Sequence, residues 1–451
     1  MDKILIIGAG FAGFGAAHFL SINGIDATVV EKEEAMPEHK NSITPNKFTF
    51  DKKLHVISTQ NEWFAKMLHN FGEHENAAEQ LNIRYFFKGN SIKHPPIENL
   101  YGLPKSLVIK IILELSELKT ENEKFATNLK EWLYATFGQI YTDTLLEKLI
   151  QKKYTLSSEK IDFSEMKNNF ERPSFEDILL GALTDKTNKS GEEIKNHYLL
   201  NEGNLAFPKR NNADIQVKYG YKVEFVDPYK KIVFFENGEK ESYNYLISSM
   251  PLPDLISSVK KVPEKIQIAS EKLAFTNCVT VKIGIDRKLS SKLHYAFFYD
   301  RDILFSKIVF PNALQEKNTL GNYSNFQASI HFSKKYKPLQ LEPKSFIEPV
   351  IHNMKRCSIL QENDRIIYKR ADLMPYANII HDFNRRPNLK AVHNYLDDAN
   401  IFYCGRYGMW NNLSADESVE SGVNAAKKVK DILTLKTGGR ITPDFFYFSV
   451  I

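Results

Sequence analysis

The sequence predicts an α/β protein with a Rossmann-type strand–turn–helix start, a mainly helical region after it and a region of antiparallel strands in the second half. Three observations predict it. The chain opens with an apolar strand, a glycine-rich turn and a helix. Apolar residues then recur at helical spacing in LVIKIILELSEL and NLKEWLYATFG. The second half carries alternating stretches such as NCVTVKIGI and SNFQASIHF, which suit half-buried strands.

The first element is the most specific. KILIIGAGFAGFGAAHFLSINGIDATVVEKE reads as a strand over Ile4 to Ile7, a glycine turn, a helix to about Asn23 and a second strand ending at Glu31. Gly8, Gly10 and Gly13 place a GxGxxG pattern between strand and helix, the context that marks a Rossmann-type dinucleotide site. Gly8 permits the tight turn, Gly10 lets backbone approach a pyrophosphate, and Gly13 lets the helix pack on the strand. The helix N-terminus offers N–H groups and a positive dipole end to the anion, and Glu31 can accept from ribose hydroxyls. The pattern alone does not separate NAD from FAD. The continuation EEAMPEHKNSITPNKFTFDKKLHVIST contains no second glycine-rich loop.

Further along, TDKTNKSGEE reads as an exposed loop, and KVEFVDPYKKIVFFENGEKESYNYLIS as strand, turn, strand with a hairpin signal at Asn237-Gly238. The tail TGGRITPDFFYFSVI is apolar and is expected to dock on the body or to join a partner. No internal repeat is present.

Composition bounds what the protein does. A chain of 451 residues with 43% hydrophobic content suits two or three globular lobes. Its net charge is +5, with 60 basic residues interleaved among 55 acidic ones, so no dedicated nucleic-acid surface is expected. Short runs such as KKYK and KKVKDIL read as solvated faces. Cys278, Cys357 and Cys404 are scattered and lack CxxC spacing, which supports neither a disulfide framework nor a zinc site. The start MDKILIIGAG has no basic leader region, and no apolar run reaches the roughly 18 residues of a membrane span. A soluble cytoplasmic protein is expected.

Several stretches carry a resemblance, and they occur in one order along nearly the whole chain. FTFDKKLHVIST supplies Asp51 and His55, and IRYFFKGNSIKHPPIENLYGLP supplies Pro95 and the pair Leu103-Pro104. NLKEWLYATFG (Asn128 to Gly138), NYLISSMPLPDLI (Asn244 to Ile256), LFSKIVFPNAL, SNFQASIHFS and FYCGRYGMW (Phe402 to Trp410) follow. Together they resemble the UDP-galactopyranose mutases and their flavin amine-oxidase-like relatives, the protoporphyrinogen-oxidase-like flavoproteins.

The resemblance implies a discontinuous Rossmann-type FAD-binding domain over about 1–60, 205–255 and 396–435. A mainly helical insertion over 61–204 and a β-sheet substrate domain over 256–395 would hang from it, with 436–451 as the tail. It implies FAD contacts from Gly8, Gly10, Phe11, Ala12, Gly13, Glu31, Lys32, Met250, Gly405, Arg406, Ser414 and Ser418. Gly405-Arg406 would form a turn against the flavin, and the helix starting near Ala415 would aim its dipole at a reduced, anionic ring.

In the mutases the reduced flavin N5 attacks the anomeric carbon of the sugar, UDP leaves, and the ring reopens and recloses as the furanose. By resemblance, His55 lies beside the flavin and Lys307 takes the place of an arginine bridging the diphosphate, keeping the charge without the bidentate fork. Tyr376, Asn378, Trp410 and Asn412 are the implied substrate contacts, with Tyr376 and Asn378 on one strand face. The chain departs from the family at ligand-contacting positions. Asn378 and Asn412 stand where tyrosines grip the diphosphate, and Lys53 and Leu54 replace glycines beside His55. Lys209, Arg210, Asn211 and Asn212 follow Phe207-Pro208 where glycines are expected.

Three functions remain open on these residues. One is a mutase-like isomerase on a nucleotide-linked sugar in surface-polysaccharide biosynthesis, using FAD reduced by NAD(P)H. Another is an amine-oxidase-like FAD oxidoreductase, and the third is a non-catalytic binding subunit. An oligomer is compatible with each.

Overall fold

The computed structural model describes residues 2–34, 48–50, 56–59, 61–70, 81–118, 120–164, 172–185, 196–199, 215–289, 292–314, 319, 321–436 and 438. The chain opens as β1 (Ile4–Ile7), α1 (Phe11–Ile22) and β2 (Ala27–Glu31), then β3 (Val56–Thr59) and α2 (Glu62–Asn70). Strands β4 (Ile83–Phe87) and β5 (Asn90–Lys93) precede α3 (Lys105–Glu117), α4 (Leu129–Phe137), α5 (Gln139–Tyr141), α6 (Glu147–Tyr154) and α7 (Phe175–Leu183). Next come β6 (Asn196–Leu199), β7 (Gln216–Tyr219), β8 (Val223–Asp227), β9 (Ile232–Phe235), β10 (Lys240–Ser242) and β11 (Tyr245–Ser248). Helices α8 (Leu252–Ser258) and α9 (Glu264–Glu271) lead to β12 (Phe275–Ile285), β13 (Tyr295–Phe298) and β14 (Lys307–Val309). After α10 (Pro311–Leu314), β15 (Ser324–Phe332), α11 (Ile347–Arg356) and β16 (Ile366–Ile379), the chain ends in α12 (Arg385–Asp398), β17 (Ile401–Tyr403), α13 (Gly405–Gly408) and α14 (Ala415–Lys436).

Five of these strands form a parallel sheet in the order β17-β11-β1-β2-β7. ILII and YLIS are buried along their whole length, as parallel strands covered on both faces must be. Helices α1 and α14 pack on one face. A Cβ on Gly422 would lie 1.9 Å from the Ala12 carbonyl oxygen, so the two helices meet where no larger residue fits. Strands β8, β9 and β10 form a small antiparallel sheet, turned at Asn237-Gly238 with Gly238 at φ +85°.

The largest sheet has seven strands in the order β16-β12-β15-β14-β13-β4-β5. The mainly helical first insertion contributes two strands to it. IRYFF and NSIK are strands, and β4 pairs with β13 in parallel, so both insertions share one sheet. One face presents Val279, Val281, Ile283, Phe326, Ala328 and Ile330 to α11 through Val350, Ile351 and Met354. The other face is polar, and it positions the site described below.

The helices of the first insertion bury Leu129, Trp132, Leu133, Phe137 and Tyr141 against Tyr85 and Tyr299 of that sheet. Asn128 caps α4 by accepting from the Glu131 N–H, and the helix stops at Gly138, φ +78°. Cys278, Cys357 and Cys404 are free thiols. No helix among the described residues is long and apolar enough to cross a membrane.

Candidate functional site

The turn between β1 and α1 is an open anion cradle. Gly8 adopts φ +98°, a backbone region that disfavours any side chain, and its N–H donates to the Val30 carbonyl at 2.8 Å. A Cβ on Gly13 would stand 1.8 Å from the Gly8 carbonyl oxygen, so the helix can start here only with glycine. A Cβ on Gly10 would meet nothing within 4 Å, which leaves space in front of the helix N-terminus. No side chain caps α1 and its first turn carries no acid, so its free N–H groups face that space. Glu31 Oε2 accepts from the Ala9 N–H at 2.8 Å and Oε1 from the Glu33 N–H at 3.2 Å, which fastens the turn to the end of β2. Phe11 leans edge-on against Phe64, Ala12 is buried, and Lys32 is exposed. These residues fit the pyrophosphate and ribose of a dinucleotide such as FAD.

The closing turn is shaped differently. Gly405 sits at φ +74°, where an added Cβ would come within 2.6 Å of the Ala12 methyl, and its N–H donates to Ser421 Oγ at 3.0 Å. Arg406 holds the turn by donating from Nε to the Leu413 carbonyl at 3.0 Å. The start of α14 is closed by its own residues. The Ser414 N–H donates to Glu417 Oε2 at 2.7 Å, its hydroxyl bonds Asp416 and Glu417, and Asp416 Oδ2 accepts from Thr59 Oγ1 at 2.8 Å. Ser418 is buried and donates its hydroxyl to the Ser414 carbonyl at 2.6 Å. Ser414 and Ser418 serve the cap, and two carboxylates in the first turn oppose the positive end of the dipole that the resemblance aims at an anionic ring.

A cationic mouth lies where α6 meets the polar face of the large sheet. Lys307, at the start of β14, is half-buried with its ammonium 5.6 Å from the Tyr295 ring centre. Burial lowers its pKa, with nearby Cys278 opposing and Lys153 adding to the shift. His331 is pushed down to about 3 by burial and then by Lys307, Lys153 and Lys337, so its imidazole is neutral near pH 7. The ring pairs with Ser306 Oγ at 3.3 Å. Lys153 closes α6, and Lys337 reaches over the Phe332 ring. Among the described residues, no carboxylate forms an ion pair with Lys153, Lys307 or Lys337.

Of the four implied substrate contacts, the structure brings one to this mouth. Asn378 donates from Nδ2 to Thr276 Oγ1 at 3.1 Å and to the Lys153 carbonyl at 3.5 Å. Tyr376 does not share its face. The register of β16 shifts between Met374 and Asn378, Tyr376 turns to φ +54°, and its hydroxyl donates to Asp254 Oδ1 at 2.5 Å on α8. Burial, then Asp254, raises its pKa. Trp410 is 0% exposed, packed on Phe275 and Tyr376, while its carbonyl accepts from Arg385 Nε at 2.8 Å. It is a core residue. Asn412 is committed to the Ile379 backbone, accepting its N–H at 3.0 Å and donating to its carbonyl at 2.8 Å, so it pins the end of β16.

Met250 is half-buried against the core beside α8, with its N–H on Ser248 Oγ at 3.3 Å. His55 and Asp51 lie outside the described residues, as do Lys209 to Asn212. Lys153, Lys337 and His331 carried no motif. KKYK read as a solvated run, yet Lys335 within it pairs with the buried Asp382 at 2.7 Å.

Residues 6–71 match the NAD(P)-binding Rossmann-like domain model. Across the whole chain, the fold aligns with a crystal structure of reduced UDP-galactopyranose mutase at a TM-score of 0.84 and 19% identity, covering 96% of each chain. The chain has the UDP-galactopyranose mutase fold. A protoporphyrinogen-oxidase-like protein of Exiguobacterium sp. 255-15 shares it at a TM-score of 0.66, with 11% identity over 95% of this chain and 98% of that one. The CLA-producing fatty acid isomerase of P. acnes aligns at 0.63, with 11% identity over the same shares. A sequence search of curated proteins finds no match. The fold therefore spans isomerases and oxidases by their names, and the reaction has to be argued from the site.

Proposed function

We infer that the protein is an FAD-dependent enzyme acting on a nucleotide-linked sugar, a mutase-like isomerase of surface-polysaccharide biosynthesis in the cytoplasm. The observation that carries this reading is the mouth of three lysines, none paired with a described carboxylate, around the neutral His331. Such a mouth suits a dianionic diphosphate, and the open cradle at Gly10 suits the dinucleotide.

FAD would be held by the Gly8 to Gly13 turn and Glu31, and in its reduced form, with NAD(P)H as reductant, it supplies the nucleophile that retains the sugar while its ring reopens. The chain's residues do the rest. Lys307, Lys153 and Lys337 draw the diphosphate out of water and stabilise the charge that grows on it as the sugar bond breaks. Lys307 is desolvated before the ligand arrives, so an incoming anion restores its preference for the charged form. His331 accepts or donates one hydrogen bond without adding a fourth cation. The intact cradle counts against a cofactor-free binding subunit.

The test is a spectrum followed by a panel. Purified protein should show flavin absorbance and release FAD. After dithionite reduction, it should interconvert the pyranose and furanose forms of at least one UDP-hexose. A yellow protein inert toward every UDP-hexose, yet bleached by an amine with peroxide release, would replace this reading with the oxidase one.

A further inference from the structure

Two of the three mouth lysines meet at a turn that is gripped from a distance by Asp382, which lies between β16 and α12. Asp382 is 2% exposed, and its Oδ2 takes the Lys335 ammonium at 2.7 Å and the Tyr336 hydroxyl. Lys335 and Tyr336 stand in a tight turn after β15, in which Ser333 and Lys337 exchange backbone hydrogen bonds at 2.9 and 3.1 Å. Lys337 is therefore carried on the turn that Asp382 holds. Ser333 Oγ accepts from the N–H groups of Tyr336 at 3.1 Å and Lys337 at 3.2 Å, and it pairs with Thr155 Oγ1 at 2.6 Å, two residues beyond Lys153. The same turn thus touches the end of α6.

Asp382 is itself fixed by other parts of the chain. Ile161 forms an antiparallel bridge to it, the Asp162 N–H donates to the His381 carbonyl at 2.8 Å, and Arg386 pairs with Asp162 at 2.7 Å. The Arg385 N–H donates to the Asp382 carbonyl at 3.0 Å, while its Nε donates to the Trp410 carbonyl at 2.8 Å. The carboxylate stands where the helical insertion, the large sheet and the closing turn converge. Stability gives a poor reason for a charge there. Asp382 Oδ1 is buried without a hydrogen-bond partner, and the Lys335 side chain is 37% exposed, so one half-solvated ammonium and one phenol replace the water around the carboxylate. An apolar joint would remove that cost, whereas the charge fixes the turn in one orientation.

We propose that Asp382 is the positioning residue of the lysine mouth: through Lys335 and Tyr336 it holds Lys337, and through Ser333 and Thr155 the end of α6, at the spacing a diphosphate requires. It touches no substrate itself. Cations gathered about one anion act together only at set distances, so a turn released from Asp382 leaves Lys337 in the chain but out of the mouth. The role rests on the nucleotide-sugar reading for its ligand, and two probes separate their failures.

Calorimetry on the purified full chain measures affinity for inorganic pyrophosphate and for UDP at low and moderate salt. By charge alone, removing a carboxylate near an anion site tightens anion binding and steepens its salt dependence. Asp382→Asn should do the opposite, weakening both probes by about tenfold and flattening the salt dependence as Lys337→Met does. The double variant should be no weaker than Lys337→Met, because both changes remove the same contact. Tyr336→Phe leaves every charge in place and should cost about threefold, which keeps the proposal testable if Asp382→Asn does not fold. Parental or tighter binding in Asp382→Asn, losses that add in full in the double variant, or parental affinity in a folded Tyr336→Phe protein overturns the proposal. If pyrophosphate binds and UDP binds no better, the nucleotide reading falls while the positioning role stands. If neither binds the parent, both fall.

Discussion

Helices α1 and α14 pack side by side and both begin in sequence stretches that looked equally suited to an anion, yet only one start is open. At α1 the N-cap is Gly10, no side chain closes the turn, and the nearest carboxylate, on Glu31, holds the loop from the β2 side. At α14, Ser414, Asp416 and Glu417 already occupy the N-terminus. The difference teaches that a helix dipole marks a ligand site only where the chain has left it unsatisfied. The lysine mouth obeys the same rule with side-chain charges: it is cationic and, among described residues, unpaired.

The sharpest way to break this comparison is at Gly13. Gly13→Ala puts a methyl 1.8 Å from backbone oxygen, and a cost of about 3 kcal/mol or more is expected, read as a large fall in melting temperature with loss of flavin. Gly10→Glu, with open space around the Cβ, should leave the apoprotein as stable as the parent while lowering FAD affinity by about tenfold or more, measured by fluorescence titration. A folded Gly10→Glu protein with parental flavin content would refute the cradle.

The lysine mouth gives a smaller effect, visible in acid. His331 has a folded pKa of about 3 against an ordinary 6.5, so the folded state prefers the neutral ring. Its contribution is therefore fully present above 6.5 and is lost as pH falls from there toward 3. His331→Gln should flatten that acid limb of stability by up to one proton, roughly 1.4 kcal/mol per pH unit, in urea melts run across the window. An unchanged limb would show that His331 is not held neutral. The smallest effect belongs to the closed helix start. Ser414→Ala should cost about 1 kcal/mol in urea melts and leave FAD affinity unchanged. A fall in FAD affinity instead would return Ser414 to the cofactor.

Much of the frame was legible because its causes are local. GxGxxG after an apolar strand dictates a turn, and Asn237-Gly238 dictates a hairpin, whatever lies elsewhere. The substrate side was legible only in part. Tyr376 and Asn378, two residues apart, should share a face, but the irregularity before Asn378 turns Tyr376 toward Asp254 instead. Asn412 looked free until Ile379, remote in sequence, was brought alongside it. IRYFF joined the large sheet because β13, far along the chain, offered it an edge, and NSIK pairs on IRYFF in turn.

By itself the sequence determined the dinucleotide turn with its flanking strand and helix, and the hairpin at Asn237-Gly238, since each follows from short-range turn chemistry and hydrophobic period. Only the tertiary structure decided which polar groups stay available. Trp410 is buried in the core and Asn412 is held by Ile379, remote in sequence, while Lys153, Lys307 and His331 are gathered from three separate elements into one mouth. Satisfaction of a polar group depends on what packs against it, and that is a property of the folded chain.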